Sequence, residues 1–175
     1  MKTPLLVWLT GLSGAGKSSI SKALQDQFKN QGIPSIILDG DDLRLNLNAD
    51  LTFSDKDRIE GARRAAERAK TIIDNGSMAI VALISPFEVQ RENAKKIVGE
   101  ERYVEIFVST PLAVCEARDP KGLYKKAREG AIKDMTGIDS RFEVPIHPHI
   151  VVDASQESVA EIVNRISLFL FPPKH

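Results

Sequence analysis

Residues 11–18 read Gly-Leu-Ser-Gly-Ala-Gly-Lys-Ser, a full match to G-x-x-x-x-G-K-[ST], and nothing else in the chain restricts the fold as strongly. Such a loop wraps backbone N–H groups around phosphate oxygens and adds the positive end of the helix that follows. It therefore needs a strand to deliver it and a helix to leave it. Both are predicted: the apolar run Leu5–Leu9 precedes it, and Lys17–Asn30 follows with Ile20, Ala23, Leu24 and Phe28 along one side. Gly11, Leu12, Ser13, Gly14, Ala15, Gly16, Lys17, Ser18 and Ser19 are accordingly the candidate ATP-binding residues. Lys17 is expected to reach the β- and γ-phosphates as a catalytic group, and Ser18 to offer its hydroxyl to Mg²⁺.

Short apolar runs at Leu5–Leu9, Ser35–Leu38, Met78–Ile84, Tyr103–Val108 and His149–Val152 alternate with longer segments of helical period. That alternation predicts an α/β, three-layer fold of the P-loop NTPase type around a parallel sheet. Ser54–Asn75 is predicted helical, with Ser54 as N-cap and Ile59, Ala62, Ala66, Ala69 and Ile73 at helical spacing. A closing helix is predicted over Ser155–Leu170, stopped by Pro172-Pro173. Between Asp119 and Pro148 a basic, glycine-punctuated stretch shows no strong strand and is predicted to be a lid. No repeat or linker interrupts the chain, so residues 1–175 are expected to form a single domain, with lid limits near 119 and 148.

The charges balance at 24 basic against 24 acidic residues, without the basic excess that nucleic-acid binding draws on. A small anionic ligand in a pocket is the expectation. No run approaches the roughly 18 apolar residues of a membrane span, so no membrane partner is expected. Met1 to Thr10 lacks the basic start and small-residue cleavage site of a secretion signal. A lone Cys115 excludes an intramolecular disulfide and suits a reducing compartment, hence an expected cytoplasmic location.

After the second predicted strand comes Asp39-Gly40-Asp41-Asp42. Carboxylates at the carboxyl end of a strand face the crevice where α/β sheets bind ligands. Asp41 is the candidate general base and Asp39 its catalytic support, ordering metal-bound water, with the phosphate loop expected beside this strand. Asp42 reads as a helix cap.

From here the residues resemble the adenylylsulfate kinase family over nearly the whole chain. The matching pieces are Gly11–Ser18, Asp39 through Arg44 to Asn48, Asp50-Leu51-Thr52-Phe53-Ser54 with Asp57-Arg58, Ile84-Ser85-Pro86 and Thr110-Pro111-Leu112. Most restrictive are Arg118-Asp119-Pro120-Lys121-Gly122-Leu123-Tyr124-Lys125-Lys126-Ala127-Arg128 and Thr136-Gly137-Ile138-Asp139. The resemblance implies a five-stranded parallel sheet, a homodimer, and phosphorylation of the 3′-hydroxyl of adenylyl sulfate by MgATP in sulfate assimilation. It makes Arg44 and Arg58 the ligands of the acceptor's phosphosulfate, a role that guanidinium forks suit. It sets Phe53 on one face of the acceptor adenine and Arg118 and Lys121 on the nucleotide side. Ile84, Ser85, Lys133, Met135 and Thr136 complete the implied acceptor-binding set, with Lys126 and Lys133 as lid cations or solvated lysines. Ser85 matches a serine that the family tradition names as phosphorylated. Because phosphoryl transfer needs no covalent step, Ser85 is expected to hydrogen-bond substrate or to satisfy the strand end.

Three positions depart from the family pattern. Gly61 stands where a helical asparagine is common, at a helix cost of about 1 kcal/mol relative to alanine. Met135 replaces a lid phenylalanine, setting a thioether against adenine. Asn46 replaces a glycine. The first two fall on the acceptor side, which keeps a different nucleotide-linked anion, such as cytidine diphosphoramidate, as the alternative acceptor. A non-catalytic nucleotide-binding switch is a third reading, opposed by the intact Lys17, Ser18 and Asp41. His147 and His149 read as a loop or strand end, Cys115 and Trp8 as core, and Arg63-Arg64 as a solvated helix face.

Overall fold

A computed structural model describes residues 3–173; residues 1–2 and 174–175 of the expected single domain lie outside the described residues. The elements are β1 (Leu6–Thr10), α1 (Lys17–Asn30), β2 (Ser35–Asp39), α2 (Gly40–Asn46), α3 (Asp55–Asp74), β3 (Met78–Ala82) and α4 (Glu88–Val98), then β4 (Tyr103–Val108), α5 (Leu112–Arg118), α6 (Leu123–Arg128), β5 (Ile150–Val152) and α7 (Val159–Leu170). All strand pairs are parallel, in the order β2-β3-β1-β4-β5. The chain is an α/β protein with a five-stranded parallel sheet, as the sequence predicts.

The period of two along a strand explains the layers. In β1, Val7 and Leu9 join Ile20, Leu24 and Phe28 of α1 and Ile162, Val163 and Ile166 of α7 in one core. Leu6 and Trp8 point the other way, into a core with Ala62, Ala65, Ala66, Ala69, Ile72 and Ile73 of α3 and Ala94 and Val98 of α4. The alanine seam lets α3 lie close to the sheet. Every β1 residue is buried, as its uninterrupted apolar run requires of a central strand. Because β1 sits between β3 and β4, the strand order reverses at its carboxyl end, which is where α/β sheets open a ligand crevice.

The phosphate loop's strand does not neighbour β2, contrary to the sequence expectation; β3 lies between them. β3 stops at Ala82 rather than Ile84, because β1 has ended and its flank turns aside. Thr10 Oγ1 and the Gly11 N–H both donate to the Ile84 carbonyl, at 2.7 and 3.4 Å, and Ser85 takes a positive φ of 39°. The last helix begins at Val159, four residues later than predicted. Asp153 first draws Ser155 into a turn, accepting from its N–H at 2.8 Å, and Ser158 and Glu161 then close a capping box. Helices α2, α4 and α6 were not predicted.

Candidate functional site

The loop between β1 and α1 is built around glycines. Gly11 has φ 151°, and a Cβ there would fall 2.5 Å from the Val108 carbonyl oxygen, so no other residue fits. Gly16 has φ 113° and abuts the Ala154 methyl group. The carbonyls of residues 11–15 are each held by a side-chain donor, and that of Gly16 by the Ile20 N–H. Lys17 Nζ donates to Gly11 and Leu12 at 2.8 and 2.7 Å, the Tyr124 hydroxyl to Ser13 at 2.8 Å, Arg118 to Gly14 at 3.4 Å and Thr110 to Ala15 at 2.8 Å. With the acceptors so engaged, the loop's N–H groups other than those of Gly11 and Ala15, which bond to the Ile84 and Leu12 carbonyls, remain for an anion, together with the first-turn N–H groups of α1, which no helix satisfies from within. Lys17 is buried, and burial chiefly pushes its ammonium down from 10.5 to about 8.

At the mouth of this loop the exposed Ser18 donates its hydroxyl to Asp39 Oδ2 at 2.6 Å. Asp39 is also the N-cap of α2, accepting from the Asp41 N–H at 3.1 Å; the cap is therefore Asp39, not Asp42 as its position in the sequence implied. Asp41 is exposed and ion-paired with Lys121, so Lys121 lies on the carboxylate rather than on the loop. Mg²⁺ fits the Ser18–Asp39 pair, since it takes hard oxygens and needs only one or two carboxylates beside substrate phosphates. Among the described residues no group of three His, Cys, Asp or Glu side chains gathers for a metal of another kind.

The expected acceptor grip is one connected unit. The Arg44 guanidinium stacks 4.0 Å from the Phe53 ring centroid and donates to the Leu51 carbonyl at 3.2 Å. Arg58 binds the carbonyl of the same Phe53 through Nε at 2.8 Å, Thr136 Oγ1 through Nη1 at 2.7 Å and the Asp134 carbonyl through Nη2. Of its five N–H groups two remain for a ligand, and Arg44 retains four. Burial is the largest cause holding Arg58 below its usual value, and the nearby Arg44 charge acts the same way. The nearby Asp55, Asp134 and Asp139 carboxylates act the other way. Phe53 is 58% exposed, leaving its ring open for stacking.

Other expected residues fall differently. Met135 is only 7% exposed and belongs to the core cluster, so its thioether is not the open cleft wall the sequence implied. Ser85 is buried and accepts the Trp8 indole N–H at 3.0 Å, which is strand-end satisfaction and not an open donor. Arg118 donates to Gly14 and, at 2.7 Å, to the Ala154 carbonyl, beside the loop. Lys126 and Lys133 are exposed. Gly61 lies under Asn48: a Cβ there would meet Asn48 Nδ2 at 3.0 Å. The room implied by glycine is thus filled from within the protein. Asn48 is 8% exposed, and its Oδ1 is buried without a partner.

Sequence reasoning missed the supports. Tyr124 and Thr110 hold loop carbonyls. Asp139 shapes the segment before Thr136, accepting from the Asp134 and Met135 N–H groups at 2.9 and 2.6 Å. Gln90 and Arg91, buried at the start of α4, went unnoticed. The set-aside features sit as expected: Cys115 and Trp8 are core, and His149 Nδ1 accepts the Glu105 N–H at 3.0 Å at the strand end. Arg63 and Arg64 pair with Glu60, Glu67 and Asp50 on the surface of α3.

Known proteins carry the same arrangement of sequence and fold. The family described as adenylylsulphate kinase matches residues 3–153. The chain is 50% identical over 167 residues to an adenylyl-sulfate kinase of Pseudomonas aeruginosa, covering 95% of this chain and 85% of that protein. It is 49% identical over 166 residues to one of Clostridium kluyveri, covering 95% and 83%. Among solved structures, the Mycobacterium tuberculosis APS kinase in complex with AMPPNP and APS superposes with a TM-score of 0.93 at 41% identity, covering 97% of this chain and 99% of that one. The chain belongs to the adenylylsulphate kinase family.

Proposed function

We propose that this protein transfers the γ-phosphate of ATP to the 3′-hydroxyl of adenylyl sulfate, giving 3′-phosphoadenylyl sulfate and ADP. The observation that carries the reading is the presence of two candidate anion sites joined through the Ser18–Asp39 bond at the head of α2. A glycine loop with its carbonyls tied back lies at the end of β1, and the Arg44–Phe53–Arg58 unit lies on the flank of α2 and α3. The family membership and the fold of its APS-bound relative support the same acceptor.

In this reading the N–H groups of residues 12–14 and 16–19 hold the triphosphate, and Lys17 offsets charge on the transferred group. Ser18 and Asp39 hold Mg²⁺, which supplies charge neutralisation to the phosphates when bound. Arg118 and Lys121 flank the nucleotide; the exposed Lys121–Asp41 pair is of the weak surface kind, so phosphates compete for it readily. The acceptor adenine stacks on Phe53, its phosphosulfate meets Arg44 and Arg58, and Ile84, Lys133 and Thr136 bound the pocket, while the buried Ser85 and Met135 serve as internal support. Asp41 takes the proton as the O3′–H bond breaks. A bond from O3′ to γ-phosphorus forms, the bridging bond to the β-phosphate breaks, and ADP leaves. Residues near 119–148 act as the lid of a single domain and exclude water as a rival acceptor. The working unit is a homodimer in the cytoplasm.

Coupled ADP release on a panel of adenylyl sulfate, cytidine diphosphoramidate and nucleoside monophosphates tests the acceptor. Adenylyl sulfate is expected to give the highest kcat/KM. A clear preference for cytidine diphosphoramidate sinks the acceptor and leaves the kinase.

A further inference from the structure

Helix α4 opens with two polar side chains where a helix against a sheet would ordinarily bury apolar ones. Gln90 is 3% exposed and Arg91 2%. Burying a guanidinium is expensive unless its donors are met, and here they are met by groups of the site's own walls. Arg91 Nη1 donates to the Ser85 carbonyl at 2.8 Å, and Nη2 to the Glu143 carbonyl at 2.9 Å. Its charge is balanced by Glu105 of β4, 3.5 Å away, which also accepts the Tyr103 hydroxyl at 3.1 Å. Gln90 accepts the Phe87 N–H at 2.9 Å and donates Nε2 to the Arg58 carbonyl at 2.7 Å.

Two adjacent residues thus tie together three segments that the sequence sets far apart. One is α3 at Arg58. Another is the loop after β3, where Ser85 is held at φ 39°. The third is the carboxyl end of the lid at Glu143, which bonds back through its N–H to the Pro86 carbonyl at 2.7 Å and accepts the Glu88 N–H at 2.7 Å. None of these bonds is made by the phosphate loop itself, whose first residue, Gly11, meets the loop after β3 only through the Ile84 carbonyl, at 3.4 Å; Thr10, just before it, donates to the Ser85 carbonyl at 3.4 Å.

We infer that Gln90 and Arg91 are positioning residues for the acceptor half of the site, Gln90 fixing Arg58 through its backbone carbonyl and Arg91 fastening the lid's end to the loop after β3. The inference rests on the reading that Arg58 holds the acceptor. Neither residue contacts the reacting atoms; both act through the segments they hold.

Two conservative variants test it. Gln90→Glu, assayed at pH 8 with the carboxylate ionised, keeps the acceptor for the Phe87 N–H but loses the donor to Arg58. Arg91→Lys keeps the charge opposite Glu105 but cannot reach two carbonyls in different directions. For each, KM for adenylyl sulfate is expected to rise about tenfold with KM for MgATP within about twofold. Amide exchange is expected to quicken in residues 84, 85, 87 and 143 of Arg91→Lys and in 53–58 of Gln90→Glu, with residues 12–19 unchanged. Should Arg91→Lys fail to fold, Gln90→Glu decides the matter, since it leaves the ion pair intact. An unaltered acceptor KM, both KM values rising together, or unaltered exchange overturns the inference. Wild-type protein inactive on adenylyl sulfate refutes the acceptor alone, and the exchange comparison still decides whether these residues hold the walls.

Discussion

Burial of Lys17 among the loop carbonyls, which lowers its ammonium from 10.5 to about 8, ties nucleotide binding to pH. The charged form that phosphate needs is present below that value and lost above it. Bound triphosphate favours the ammonium again, so binding above pH 8 takes up a proton. Affinity for ATP is expected to be flat up to about pH 7.5 and then to fall roughly tenfold per unit above about pH 8. Calorimetry in buffers of different ionisation enthalpy reads the proton directly, and Lys17→Arg, always charged, is expected to remove the slope. In the free protein the same shift is a stability cost, present below pH 8 and relieved between there and 10.5, because the unfolded lysine keeps its proton longer. Asp39 is the other residue with a separable role. Asp39→Asn keeps an oxygen to cap α2 but removes the charge beside Ser18, so the Mg²⁺ needed for half-maximal rate is expected to rise about tenfold or more.

Among the elements, β1, α1 and α3 were legible because their patterns are long and apolar or carry a motif with its flanks. The unpredicted α4 shows why others were not. Its buried positions are Gln90, Arg91, Ala94 and Val98, so half of its inward face reads as polar. Only the partners at Arg58, Ser85 and Glu143, far off in sequence, make those side chains interior ones. Helix α6 was hidden for another reason: it has six residues and a Gly122 N-cap with no side chain, and its first amides are met from farther back by Asp119, which accepts from the Tyr124 and Lys125 N–H groups at 3.1 and 3.0 Å. That helix delivers the Tyr124 hydroxyl to the Ser13 carbonyl in a buried bond. Tyr124→Phe leaves this carbonyl unmet and is expected to cost about 1–2 kcal/mol in denaturant unfolding. It should also raise KM for ATP severalfold while sparing the acceptor. Equal effects on both substrates would mean that α6 serves the lid rather than the loop.

At the scale of the molecule, the sequence pointed to candidate groups for the chemistry but not to which of them meet. Lys17 and Ser18 open α1 after the glycine loop, and Arg44 and Arg58 come together through Phe53. The contact of Ser18 with Asp39 across an intervening strand, the stacking of Arg44 on Phe53 and the burial of Met135 are consequences of tertiary packing that no local pattern encodes. The departure at Gly61, which from sequence alone leaves room for another acceptor, is closed by Asn48. What remains is a parallel sheet with one proposed anion site at its central strand and a second proposed on α2 and α3. Titration of adenylyl sulfate into the protein loaded with MgADP, wild type against Arg58→Ala, measures the second site directly. Wild type is expected to bind, and the variant to bind at least about tenfold more weakly, as loss of a charged hydrogen-bonding fork entails. ADP affinity should be the same in both. Equal affinity for adenylyl sulfate in the two proteins, or a matching loss of ADP binding in the variant, would contradict the two-site arrangement.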